Sequence, residues 1–146
     1  MERTAPASAA EAEMDELVAD VFANACPSRQ ILDNVAGRWG TLALVALTEG
    51  AYRFNALRRR VQGVSEKMLS QTLQALERDG LVHRDVQATI PPRVEYSLTP
   101  LGERVGAKLR ALIDLIEEEL PAVRVAQERY DREKRQAAVS TTAART

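Results

Sequence analysis

Apolar positions along the chain follow helical and strand-like periods in turn, and the sharpest switch between the two lies within residues 65–98. Leu69, Leu73 and Leu76 recur at i, i+4 and i+7, which places them on one face of a helix of about 3.6 residues per turn. Lys67, Gln71, Gln74 and Arg78 form a second stripe at i, i+4, i+7 and i+11, of amides and cations, with Glu66 and Glu77 beside it. Ser65 suits the N-cap of this helix, and Gly80 suits the left-handed position just beyond its last turn. Leu81–Val86 and Arg93–Leu98 then turn to β-branched and aromatic residues, split by Pro91-Pro92, and predict a two-stranded hairpin.

Upstream, Ser8 and Glu11 have the spacing of a capping box. Met14, Leu17, Val18, Val21 and Phe22 repeat at helical spacing after it, predicting an amphipathic helix ahead of the main body. Its apolar face can pack on its own domain or on a second copy. Cys26-Pro27 opens the next helix, with proline where its missing N–H costs least and Ile31, Leu32 and Val35 as apolar face. Gly37 loosens that helix before Trp39. Thr41–Leu47 is apolar nearly all round and predicts a buried central helix that ends at Gly50. Tyr52–Phe54 reads as a short strand, Asn55 as the cap of a helix over Ala56–Arg60, and Gly63 as the turn into Ser65. Two helices joined by a tight glycine-containing turn make a helix-turn-helix. Thr99-Pro100 starts a long helix with Val105, Leu109, Leu112, Ile116 and Leu120 along one side, wider with Ile113 and Leu115 than one small domain needs. Pro121 predicts a kink or stop, and a highly charged helix over 122–135 follows. Residues 1–8 and 136–146 read as disordered tails around one domain over 9–135.

Charge sharpens this picture through its distribution, since the net charge of −1 predicts nothing. From Gly50 to Arg93 eight basic residues stand against four acidic ones, +4 locally, while the first twenty residues carry six acids and one arginine. Positive potential is therefore concentrated around the Ser65 helix. A helix presenting Ser, Lys and Gln, followed by a basic hairpin, suits double-stranded DNA: the helix in the major groove, the hairpin along the backbone. Ser65, Lys67, Met68, Gln71 and Gln74 are candidates for base edges, because Gln bonds adenine in a bidentate way, Lys donates to guanine and Met touches a thymine methyl. Arg58, Arg59, Arg84 and Arg93 are candidates for phosphate, although cations at a helix C-terminus such as Arg58–Arg60 also follow from the dipole alone. The same pattern is that of a solvated helix beside an ordinary hairpin, and a winged-helix module that binds only protein stays open.

Other chemistries find little support. One Cys excludes an intrachain disulfide, and one Cys with one His cannot close a zinc site. No Gly-rich phosphate loop or GxSxG elbow is present, so no cofactor is expected. No apolar run approaches the roughly 20 residues of a membrane span, and no secretory signal is visible, so the expectation is a cytoplasmic protein with no membrane partner. A thiol enzyme would need a base beside Cys26, and His83, the sole histidine, falls in a predicted strand, so no enzyme is expected. Cys26 at a helix N-terminus, with Arg29 one turn on, is placed to be a reactive thiolate. The alternative is a small buried residue under Phe22 and Ile31, as free Cys often is. With no second Cys, an oxidised form would join two protomers or take up a small thiol.

Gly37-Arg38-Trp39, Arg53-Phe54-Asn55-Ala56-Leu57-Arg58, Ser65-Glu66-Lys67-Met68-Leu69, Leu76-Glu77-Arg78-Asp79-Gly80-Leu81-Val82 and Pro91-Pro92-Arg93-Val94-Glu95-Tyr96-Ser97-Leu98-Thr99 resemble the HxlR-type winged helix-turn-helix regulators of bacteria. The blocks stand in order, and the resemblance covers Cys26 to about Gly102. The resemblance implies a mainly α fold with a small β-hairpin, a homodimeric transcription regulator acting on a palindromic operator, a recognition helix over Ser65–Asp79 and a wing over Leu81–Leu98. It also implies dimer contacts from the N- and C-terminal helices, here Leu17, Val21, Leu109, Leu112 and Ile116. Some members of that family sense oxidants or electrophiles through a Cys placed like Cys26. A small-molecule effector is left open, and the sequence identifies none.

Overall fold

The computed structural model of the chain describes residues 20–23 and 26–145. Among them the elements run α1 (Pro27–Ala36), α2 (Arg38–Leu47), β1 (Tyr52–Arg53), α3 (Phe54–Arg60), α4 (Glu66–Arg78), β2 (Val82–Gln87), β3 (Arg93–Leu98), α5 (Pro100–Glu118) and α6 (Leu120–Arg145). The chain divides into two units, Met1–Leu109 and Arg110–Thr146.

The first unit is built on an aliphatic core. Leu44 from α2, Leu57 from α3, Leu69, Leu73 and Leu76 from α4, and Leu81 are fully buried. Trp39, Phe54, Leu98, Val105 and Leu109 pack against them. As its unbroken apolar run predicts, α2 is the central helix, with Ala43–Leu47 all buried. Ser65 caps α4, its Oγ accepting from Met68 N–H at 3.0 Å. Gly80 ends α4 at φ 76°, a conformation only glycine adopts without strain. The chain then turns back: Leu81 N–H donates to Leu76 O at 2.9 Å. Thr99 fastens the far end of the hairpin to this turn, donating from Oγ1 to Gly80 O at 2.6 Å and accepting from Gly102 N–H at 3.0 Å as the cap of α5.

The three strands form an antiparallel sheet of order β1-β3-β2, with Tyr52 opposite Tyr96, and Val82 to Gln87 opposite Leu98 to Arg93. Side chains alternate between faces. Val82, Arg84, Val94, Tyr96 and Leu98 share one face; His83, Asp85, Gln87, Arg93, Glu95 and Ser97 share the other.

Several boundaries differ from the sequence expectation. α3 begins at Phe54, two residues before Ala56. The Phe54 ring packs on Tyr96 with centroids 6.5 Å apart, which draws it into the helix and leaves Arg53, not Asn55, at the N-cap. β2 starts at Val82, because Leu81 is taken up in the turn. Val21 and Phe22 lie in a turn closed by Ala23 N–H to Asp20 O at 3.1 Å, not in a helix; Leu17 and the remainder of that expected helix fall outside the described residues.

In the second unit, Glu119 interrupts the helical run and Pro121 sits in the first turn of α6. Arg110 and Asp114 form an exposed i,i+4 ion pair at 3.4 Å. The tail expected to be disordered over 136–146 is helical through Arg145. It is rich in alanine, and Thr141 and Thr142 donate to the carbonyls of Ala137 and Ala138, both at 2.9 Å, satisfying their hydroxyls along the helix. No helix among the described residues is long and apolar enough to cross a membrane.

Candidate nucleic-acid interface

The two stripes of α4 separate cleanly. Leu69, Leu73 and Leu76 are at most 1% exposed. Lys67, Gln71, Gln74 and Arg78 are exposed, and Met68 is 42% exposed. Burial of the leucines fixes which side of α4 faces outward, so the amide and cation stripe stands free as a consequence of the core. Ser65 begins this face, and its hydroxyl, though accepting from Met68 N–H, keeps its own proton to donate.

Arg58 and Arg59 are exposed at the end of α3. They line an open concavity with Asn55, Gln62, Gly63, Val64 and Ser65. The fold thus brings the two arginines to the start of α4, at the joint of the helix-turn-helix. The sequence marks Asn55 only as a helix cap and gives Gln62 no role. Their signal is present: Asn55, Arg58, Arg59 and Gln62 run at i, i+3, i+4 and i+7, the exposed face of α3 carried on into the turn beyond it. Arg60 is turned elsewhere. Its Nε and Nη2 meet Glu49 Oε1 and Oε2, each at 2.8 Å, and Glu49 Oε1 also accepts from the Tyr52 hydroxyl at 3.0 Å. The carboxylate pushes the guanidinium pKa further up, and this fork ties the end of α3 to the turn after α2.

On the hairpin, Arg84 and Arg93 are both exposed. They stand on opposite faces: Arg84 lies opposite Tyr96, and Arg93 opposite Gln87. His83 is exposed on β2 opposite Ser97.

Cys26 is buried at the N-cap of α1, and its Sγ lies 2.9 Å from Ser28 Oγ. Burial alone would raise its pKa, but the Ser28 hydroxyl and the backbone groups of Ser28, Arg29 and Asp20 more than offset this and hold the thiol below its ordinary value. Arg29 donates from Nε to Val21 O and from Nη2 to Phe22 O, both at 3.2 Å, clamping the preceding turn. Phe22 does not cover Cys26 as one sequence reading had it; its side chain is 86% exposed. The residues named for a second copy are divided too. Leu109 packs on the core of its own unit, while Leu112 and Ile116 are 52% and 53% exposed. No group of three or more potential metal ligands occurs among the described residues.

A tri-helical core, a helix-turn-helix joint and a β-hairpin after the second helix define a winged helix-turn-helix. The chain belongs to the HxlR-like helix-turn-helix family, whose model matches residues 34–124. It is 59% identical over 104 residues to the HTH-type transcriptional regulator YtfH of Escherichia coli K12, a match covering 71% of this chain and 82% of that protein. Among solved structures, the transcriptional regulator ytfH from Salmonella typhimurium is 56% identical with a TM-score of 0.71, covering 75% of this chain and 97% of that one. The redox regulator HypR in its oxidised form is 35% identical with a TM-score of 0.59, covering 64% and 96%. The chain is therefore a DNA-binding transcriptional regulator of HxlR type. Cys26 precedes the residues matched by the family model.

Proposed function

We propose that the protein is a homodimer that reads a palindromic operator with α4 in the major groove. The observation that carries this reading is the exposed stripe of Lys67, Met68, Gln71 and Gln74 on a helix whose other face is locked into the core. These side chains, with Ser65, take the base edges. Arg58 and Arg59 take phosphate at the helix-turn-helix joint, and Arg84 and Arg93, on opposite faces of the hairpin, each turn toward a different stretch of backbone. Leu112 and Ile116 face the second copy.

Oxidant or electrophile sensing at Cys26 belongs to the same proposal. A thiol held below its ordinary pKa supports it, as does likeness to a protein described as a redox regulator. Modification would act on α1 and the turn clamped by Arg29.

The test compares a preferred DNA duplex with a random one. Gln71→Ala costs about 1–3 kcal/mol on the preferred duplex and little on the random one. Arg93→Ala weakens both alike and reduces the slope of log affinity against log salt by about one unit. Equal weakening of both duplexes by Gln71→Ala would remove the base-reading role. Binding without salt dependence would favour a protein-interaction module.

A further inference from the structure

Asn34 in α1 donates from Nδ2 to Oδ2 of Asp79 at 3.0 Å, across 45 positions of sequence. Asp79 is the C-cap of α4. Thr99 fastens the turn beyond the helix, at Gly80, to the hairpin, whereas this bond ties the C-cap of α4 to α1. Leu69, Leu73 and Leu76 fix which face is buried, but apolar contact is non-directional and resists rolling or sliding only through packing. Ser65 caps α4 from within, bonding Met68 of the same helix, and so anchors it to nothing else. The Asn34–Asp79 bond has direction, and its donor is itself firmly placed. A Cβ at Gly40 would collide with the Asn34 carbonyl oxygen, so α1 and α2 touch backbone to backbone at this residue.

We propose that Asn34 is a positioning residue for sequence readout: through its hydrogen bond to Asp79 it sets the roll and axial position of α4, and with them the placement of Gln71 and Gln74. The inference rests on α4 being the reading helix. The geometry makes the dependence steep. At a helix radius, side chains included, of about 6 Å, a roll of about 10° carries a side-chain tip about 1 Å. That shift takes a bidentate Gln–adenine pair outside hydrogen-bonding range while leaving an arginine–phosphate contact intact.

The experiment measures the affinity of the full chain for two duplexes: one recovered by the wild type from a random pool, and one of scrambled sequence. Asn34→Ala is expected to lower the ratio of the two affinities about three- to tenfold, the range set by one intramolecular hydrogen bond, with the scrambled duplex bound as before. Asn34→Asp combined with Asp79→Asn reverses donor and acceptor, and is expected to bring the ratio back to within about twofold of wild type. Gln71→Ala runs alongside as the control on α4. If Gln71→Ala lowers the ratio and Asn34→Ala does not, the positioning role is wrong and the reading of α4 stands. If Gln71→Ala leaves the ratio unchanged, the reading of α4 fails and the inference falls with it. An Asn34→Ala protein weakened equally on both duplexes, or a reversed pair that recovers none of the ratio, would show a structural contact only.

Discussion

The two faces of α4 make opposite predictions for two substitutions only two residues apart. Leu73 is 1% exposed and sits in the core cluster. Leu73→Ala removes three carbon atoms, worth about 2.4 kcal/mol at about 0.8 kcal/mol each. A cavity remains where α4 meets α2, since both neighbours along the same face, Leu69 and Leu76, are also fully buried. Adding that cavity brings the expected loss to about 3–4 kcal/mol, a large share of the roughly 5–15 kcal/mol by which such a domain is stable. Gln71 is exposed, and Gln71→Ala is expected to change stability by less than about 0.5 kcal/mol. Urea unfolding followed by far-UV circular dichroism measures both. With a slope near 1.5 kcal/mol per molar, the Leu73→Ala midpoint falls by about 2 M while that of Gln71→Ala stays in place. A loss below about 1 kcal/mol for Leu73→Ala, or equal losses for the two variants, would refute the assignment of faces. The site built on the free face would then go with it.

Three further outcomes follow from other parts of the molecule. Replacing Leu112 and Ile116 together by Glu is expected to give monomers in sedimentation and weaker DNA binding, because charge in an apolar interface is left desolvated and unpaired; a folded double variant that still sediments as a dimer takes these residues out of the interface. Thr99→Val removes the hydroxyl that both caps Gly102 and bonds Gly80, at an expected cost of about 1–3 kcal/mol in urea unfolding, and an unchanged midpoint contradicts the double role. For Cys26, a folded-state pKa below the unfolded value of about 9 means that thiolate stabilisation is absent at low pH and grows as pH rises through the folded pKa toward 9. Wild type should therefore gain on Cys26→Ser over that window, and lose DNA affinity on mild oxidation as the variant does not; identical behaviour of the two, with Cys26 shown by mass to be oxidised, leaves it a structural residue.

What the sequence disclosed follows from the range of the interactions involved. α4 was legible from end to end because everything that defines it is local: Ser65 at the cap, Leu69, Leu73 and Leu76 at one face, Gly80 past the end. β3 fell on Arg93–Leu98 for the same reason. The α3 start was misplaced because a local signal, the capping tendency of Asn55, lost to a tertiary one, the Phe54 ring on Tyr96. The helix over 136–145 is masked in the sequence by its small polar residues, although its alanines favour it. The long-range contacts left no periodic trace at all. Glu49 with Arg60, and Asn34 with Asp79, each join one polar residue to another with no pattern between. Arg29 acts in two ways: its guanidinium reaches back to the Val21 and Phe22 carbonyls, while its backbone helps hold the Cys26 thiol down.

Sequence-specific reading by two copies of α4 is put to the test by selecting bound sites from random duplex DNA with the protein. The expected product is an inverted repeat whose half-site centres lie about 10 base pairs apart or a multiple of it, because twofold symmetry sets the two helices one or more DNA turns apart. Its affinity should fall steeply with salt, and Gln71→Ala should relax one position in each half-site. A pool that stays random through selection, or an enriched site with no repeat that is bound by a single copy, would contradict that reading.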